Sequence, residues 1–78
     1  MTTAKVRINT IEDVKDFVGI VVGVDFDVDI VSGRYAIDAK SIMGIFSLDL
    51  TKTLTLVILA SKEECKDFLE DVKNFIED

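Results

Sequence analysis

The sequence predicts an α+β fold: a two-layer sandwich with one four-stranded antiparallel sheet and three helices packed on one of its faces. Three observations predict it. Apolar residues alternate with polar ones in short segments, the two-residue period of strands that bury one face. Other segments repeat their apolar residues every three or four positions, the signature of helices with one buried stripe. These segments follow in the order strand, helix, strand, strand, helix, strand, helix (βαββαβα), with no internal repeat and no proline anywhere in the chain.

In Lys5-Val6-Arg7-Ile8-Asn9 the alternation points Val6 and Ile8 inward. Thr10 then has the hydroxyl of a helix cap, with Asp13 three residues on in the place of a capping-box partner and the charges of Glu12 and Asp13 favourable at the helix start. Ile11, Val14, Phe17, Val18, Val21 and Val22 form one stripe, so a helix is expected from Ile11 to near Gly23. Its valines are poor helix formers, which keeps a buried strand over Val18 to Val24 as the competing reading.

Val24 to Ile30 alternates without a fault: Val24, Phe26, Val28 and Ile30 turn to the core while Asp25, Asp27 and Asp29 face water on an open side of the sheet. Ser32-Gly33 reads as a tight turn into a short strand at Arg34 to Asp38, completing a hairpin. After the apolar segment that begins at Ser41 comes Thr53 to Ala60, rich in β-branched residues and long enough for a central strand. Its outward residues Thr55, Val57 and Leu59 are expected to share the open face with Lys5, Arg7 and the aspartates. Ser61 and Glu64 form a second capping box, and Cys65, Phe68, Leu69, Val72, Phe75 and Ile76 trace a helical stripe to the C-terminus.

With 78 residues the chain is expected to be a single domain over 1–78, near the lower size at which an unassisted core is stable. No stretch approaches the ~20 apolar residues of a membrane span, and Met-Thr-Thr-Ala-Lys lacks a secretory layout. The expectation is a soluble cytoplasmic protein with no membrane association. One cysteine, Cys65, suits a reducing compartment. A net charge of −6 opposes binding to nucleic acid.

Catalytic residues, a cofactor motif and a metal site are not expected. The chain has no histidine to activate a nucleophile, and no phosphate-cradling glycine loop. Cys65 lies on an apolar stripe and reads as a packed thiol. Asp25, Asp27 and Asp29 splay along one strand face and do not converge on an ion; a solvated row paired with Lys5 or Arg7 is expected.

Ala39-Lys40-Ser41-Ile42-Met43-Gly44-Ile45-Phe46-Ser47-Leu48 carries the functional signal. A serine opening a short apolar helix is a place where one phosphate acts, with Lys40 as a neighbouring cation. The plain alternative is that Ser41 is only a cap, worth ~1 kcal/mol. Nearly every side chain from Ser41 to Leu50 is apolar or small, so a short helix cannot bury them all. If Met43 and Ile45 or Leu50 turn inward, Ile42 and Phe46, four apart, share an exposed face that anchors a partner, with Leu48 beside them.

This decapeptide resembles the regulatory segment of HPr, the phosphocarrier of the bacterial sugar phosphotransferase system. Ser32-Gly33-Arg34 followed by Lys40-Ser41-Ile42-Met43-Gly44 is similar to that family's hairpin and regulatory serine, with a spacing one residue longer than usual. The resemblance implies an open-faced sandwich with strand order first, fourth, second, third. It also implies regulatory phosphorylation at Ser41 and docking through Lys40, Ile42, Phe46 and Leu48. The implied partners are an HPr kinase/phosphorylase-type enzyme and a transcriptional regulator or metabolic enzyme.

The departure is between the first strand and first helix. Where the family has a glycine-containing loop, a phosphorylated histidine and an arginine-proline pair, this chain has Asn9-Thr10-Ile11-Glu12-Asp13. Glu12, Asp13 and Asp16 add charge that repels a phosphoryl group. The resemblance thus points to a regulatory protein without histidine phosphocarrier activity. A constitutive interaction or assembly module on the same fold is the alternative.

Overall fold

A computed structural model describes residues 1–77; Asp78, the last residue of the expected domain, lies outside the described residues. The element order is β1 (Thr2–Val6), α1 (Ile11–Val21), β2 (Val28–Ser32), β3 (Tyr35–Asp38), α2 (Ile42–Phe46), β4 (Leu54–Ile58) and α3 (Lys66–Asp71), followed by a 3₁₀ turn at Lys73–Phe75. The sheet is antiparallel throughout, in the order β1-β4-β2-β3. Both the α+β sandwich and the strand order match expectation.

The alternation in the sequence sets the register. Ala4 pairs with Leu56 and Ile30 with both Leu56 and Ile37, on the inner face. Lys5 pairs with Thr55, and Asp29 with Val57, on the outer face. Val6, Ile8, Val28, Ile30, Leu54, Leu56 and Ile58 are buried under the helices, against Val14, Phe17 and Val21 of α1, Ile45 of α2 and Cys65, Phe68 and Val72 at α3. Phe17 is the largest of these, and its ring meets Phe75 edge to face at 5.6 Å.

Helix α1 begins at a reciprocal capping box. The Thr10 hydroxyl accepts from the Asp13 amide at 3.0 Å, while the Asp13 carboxylate accepts from the amides of Thr10 and Asn9 at 3.3 and 3.1 Å. The competing strand over Val18 to Val24 does not form, because the valines at 14 and 21 gain burial as helix residues that propensity alone would not supply. The two ends of the stripe do not reach the core: Ile11 and Val22 are exposed.

Three boundaries differ from expectation. The first strand starts earlier, at Thr2, and its ladder stops at Val6, although Ile8 is still buried as the alternation required. Val24 to Asp27 keeps its alternation of burial but joins the sheet only through the Asp27 carbonyl, which accepts from the Leu59 amide. Beyond Leu59 the neighbouring strand turns away, so Val24 to Phe26 have nothing to pair with. The last helix ends at Asp71 and the chain then extends, Ile76 bridging to Val6. The Arg7 amide donates to the Phe75 carbonyl and the Glu77 amide to the Lys5 carbonyl, both at 2.8 Å.

The aspartate row is solvated but is not paired with Lys5 or Arg7. Strand β4 lies between β1 and β2, so Lys5 donates to the Thr55 hydroxyl at 3.1 Å and Arg7 meets Glu77 at 3.8 Å.

Candidate functional site

Helix α2 is one short turn laid on the end of the β2–β3 hairpin. Asp38, the last residue of β3, positions it: its carboxylate accepts from the Lys40 amide at 2.9 Å and its carbonyl from the Ser41 amide at 3.0 Å. Ala39 between them is fully buried and pins the turn to the core. Ser41 is in extended conformation (φ −94°, ψ 102°), the backbone of a helix N-cap, and its Oγ accepts from the Gly44 amide at 3.1 Å. Ser41 is exposed. Its hydroxyl is therefore both a structural cap and accessible from solvent.

Gly44 has a packing reason. A Cβ at this position would lie 3.1 Å from Ser41 Oγ and 3.2 Å from Ile37 Cδ1, so the missing side chain lets α2 settle against β3 while the cap closes. Ile45 is fully buried beneath the helix.

The orientation of α2 corrects the expected docking face. Met43 is 77% exposed. Residues 43 and 45 are two apart, about 200° around a helix, so both cannot face the core, and the buried Ile45 turns Met43 to solvent. Ile42, Leu48 and Leu50 are half-buried against the core instead. Phe46 is 41% exposed, so the apolar surface of α2 is centred on Met43 and Phe46, three apart, with the flanks of Ile42 and Leu48 at its edge. Sequence reasoning named Phe46 and missed Met43; the 100° step between residues was the signal.

Lys40 also departs from expectation. Its Nζ donates to the Val24 carbonyl at 3.2 Å, bracing the segment between α1 and β2, so its charge is engaged there and not at Ser41. At the far end of α2, Ser47 caps the Gly44 carbonyl with both its amide and its hydroxyl. Asp49 then accepts from the amide and hydroxyl of Thr51, and the hydroxyl bond chiefly holds its carboxyl below the usual range.

Cys65 is fully buried, its Sγ directed to the Lys62 carbonyl. Among the described residues no group of three or more His, Cys, Asp or Glu is arranged to hold a metal ion. No helix of the described residues is long and apolar enough to cross a membrane.

Residues 13–78 match the family model described as "PTS HPr component phosphorylation site". This chain belongs to the HPr family. The match begins at Asp13, the last residue of the junction where the sequence departs from the resemblance. Among solved structures, the chain is similar to HPr-C-His from Thermoanaerobacter tengcongensis, with a TM-score of 0.74 at 22% identity over 92% of this chain and 90% of that one. At that identity the likeness speaks for the fold. No curated protein matches the sequence significantly. HPr-like proteins are soluble cytoplasmic phosphocarriers of the phosphotransferase system, act through protein partners and are not themselves enzymes.

Proposed function

We propose that this HPr-like chain is a regulatory protein of the phosphotransferase system type that relays no phosphate through histidine and is switched by phosphorylation of Ser41. The observation that carries the reading is the solvent-exposed Ser41 hydroxyl beside the apolar pair Met43 and Phe46, in a chain without histidine. The α1 start supports it: the Asn9 and Thr10 amides, at the junction where relatives carry the reactive imidazole, are already bound by the Asp13 carboxylate. A phosphoryl group there would meet a fixed negative charge.

At Ser41 a kinase of the HPr kinase/phosphorylase type forms the Oγ–P bond as the terminal P–O bond of a nucleoside triphosphate breaks; the nucleoside diphosphate leaves and the serine hydroxyl gives its proton to a base of the kinase. The product adds about two negative charges at neutral pH and keeps an acceptor oxygen for the Gly44 amide. A five-residue helix contributes little dipole, so the fold neither strongly favours nor resists the group. What changes is the surface: a dianion now borders Met43 and Phe46. A transcriptional regulator or metabolic enzyme that places Arg or Lys beside an apolar pocket gains contacts, and one that places carboxylates there loses them. The protein acts in the cytoplasm, where such kinases and regulators reside.

Incubation with an HPr kinase/phosphorylase and mass spectrometry provides the test. One phosphate is expected on the native chain and none on Ser41→Ala; no mass increase, or an increase that persists in the variant, overturns the proposal. A constitutive assembly module is favoured by one fact, that α2 exposes Met43 and Phe46 three residues apart. Its complexes would ignore Ser41→Ala and weaken with Phe46→Ala.

A further inference from the structure

We propose that a second site, at the opposite end of α2 from Ser41, binds a small phosphate monoester. The site is a groove of about 470 Å³ between the tip of the β2–β3 hairpin and the connection from α2 to β4. That volume suits a small metabolite and is far too small for a folded partner. The inference does not rest on the role of Ser41.

The local charge runs against that of the molecule. Arg34 from the hairpin tip and Lys52 from the α2–β4 connection line the groove, in a chain of net charge −6. Among the described residues the two ion pairs are Arg7–Glu77 and Lys73–Glu70; Lys52 makes no such pair but is near enough to Asp49 to help hold its carboxyl low, and Arg34 is in neither pair. The single carboxylate in the lining, Asp49, is held by both donors of Thr51. Two cations thus exceed one internally bonded anion.

The C-terminal end of α2 would oppose an anion, but weakly. The helix is five residues long, and its Gly44 and Ile45 carbonyls accept from Ser47 and Leu48. Full charges on the side chains that line the groove outweigh this residue of a dipole.

The hairpin turn aims the arginine. Ser32 pairs with Tyr35 across two loop residues, and Gly33 alone has a positive φ, 59°, the pattern of a type II′ turn. This tight turn fixes where Arg34 leaves the backbone, and its guanidinium fork matches two phosphate oxygens at once, while Lys52 supplies a point charge. A dianion uses both cations; a monocarboxylate leaves one unpaired. Leu48 and the exposed ring of Tyr35 line the groove, and the Thr53 hydroxyl, whose proton goes to the Glu77 carboxylate at 2.7 Å, keeps only acceptor lone pairs for a hydroxyl of a small carbon body. A nucleic acid or other polyanion would face the surrounding acidic surface, so the fitting ligand is small.

The test is a titration of the ¹⁵N-labelled full chain with glycerol 3-phosphate at constant ionic strength, followed by amide shifts. Amides of residues 32–35 and 47–53 are expected to shift along saturating curves. Arg34→Ala and Lys52→Ala, both at exposed positions, are each expected to weaken binding at least about threefold while leaving the rest of the spectrum in place. Inorganic phosphate should bind more weakly, and acetate and glycerol should not saturate. Linear drift without saturation, unchanged affinity in the variants, acetate binding equal to that of the monoester, or inorganic phosphate binding as tightly would each overturn the proposal.

Discussion

At the scale of single residues, Gly44 shows how one absent side chain settles a local structure. An alanine there gains helix propensity of about 1 kcal/mol. Its Cβ, however, presses on Ser41 Oγ and Ile37 Cδ1, and relieving both contacts loosens a cap worth ~1 kcal/mol and overpacks the α2–β3 contact for ~1–3 kcal/mol. The losses exceed the gain, so Gly44→Ala should lower stability by about 1 kcal/mol or more in urea unfolding; an unchanged or raised midpoint would show that Ile37 yields freely. The residues legible in the sequence were those whose role is local. Thr10, Asp13 and Ser41 cap where their spacing said, and Ser61 and Glu64 make their reciprocal bonds on a turn ahead of α3 and not on its first turn, because such a box needs only a hydroxyl or carboxylate and an amide two or three residues away. Met43 and Lys40 were misjudged because their settings depend on Ile45 beneath the helix and on Val24, sixteen residues earlier.

At the scale of elements, α3 has no side-chain cap at its own N-cap, Cys65, and a turn closed by Ser61 and Glu64 leads into it. Glu64 accepts from the Ser61 amide at 3.1 Å and returns its own amide to the Ser61 hydroxyl at 3.2 Å; the bond from the Ser61 backbone chiefly holds its carboxyl below the ordinary glutamate value. A depressed pKa in the folded state means stabilisation that is present above the unfolded value near 4.3 and is lost as pH falls through the folded value. Exchange of the Glu64 and Cys65 amides should therefore quicken as pH falls below the ordinary glutamate value, after correction for intrinsic rates, and Glu64→Gln should flatten that response. A response equal in the variant would assign the effect to other carboxylates. The same helix shows where periodicity misleads. Its stripe holds through Val72, but Phe75 and Ile76 leave the helix as the Phe75 carbonyl accepts from the Arg7 amide and the Glu77 amide donates to the Lys5 carbonyl, with Ile76 bridging to Val6 between them. Likewise Val24 and Phe26 point the way a strand requires and lack a partner. An alternating pattern reveals which side of a segment is buried; it carries no information on whether another strand lies alongside.

For the whole molecule, 78 residues set a stability of about 4–12 kcal/mol. Phe17 is fully buried between the sheet and α3 and touches Phe75. Removing its ring should cost ~3–5 kcal/mol, a large share of the total, so Phe17→Ala should melt at least about 10 °C below the parent by circular dichroism. A sharp native-like melt within a few degrees of the parent would mean that the helices close over the cavity. The fold class followed from element order and face patterning alone, since four half-buried strands and three striped helices have few ways to cover one another. Strand order was outside the reach of that patterning and came with the family resemblance. It has a consequence for synthesis in the cell. Strand β4 is the last to leave the ribosome and lies between β1 and β2, so until residues 54–58 emerge the nascent chain has only the β2–β3 hairpin to assemble, and β1 must wait with its greasy side unsheltered. A chain stalled before that point would be prey for chaperones and proteases, because the strand that joins β1 to the hairpin is still missing.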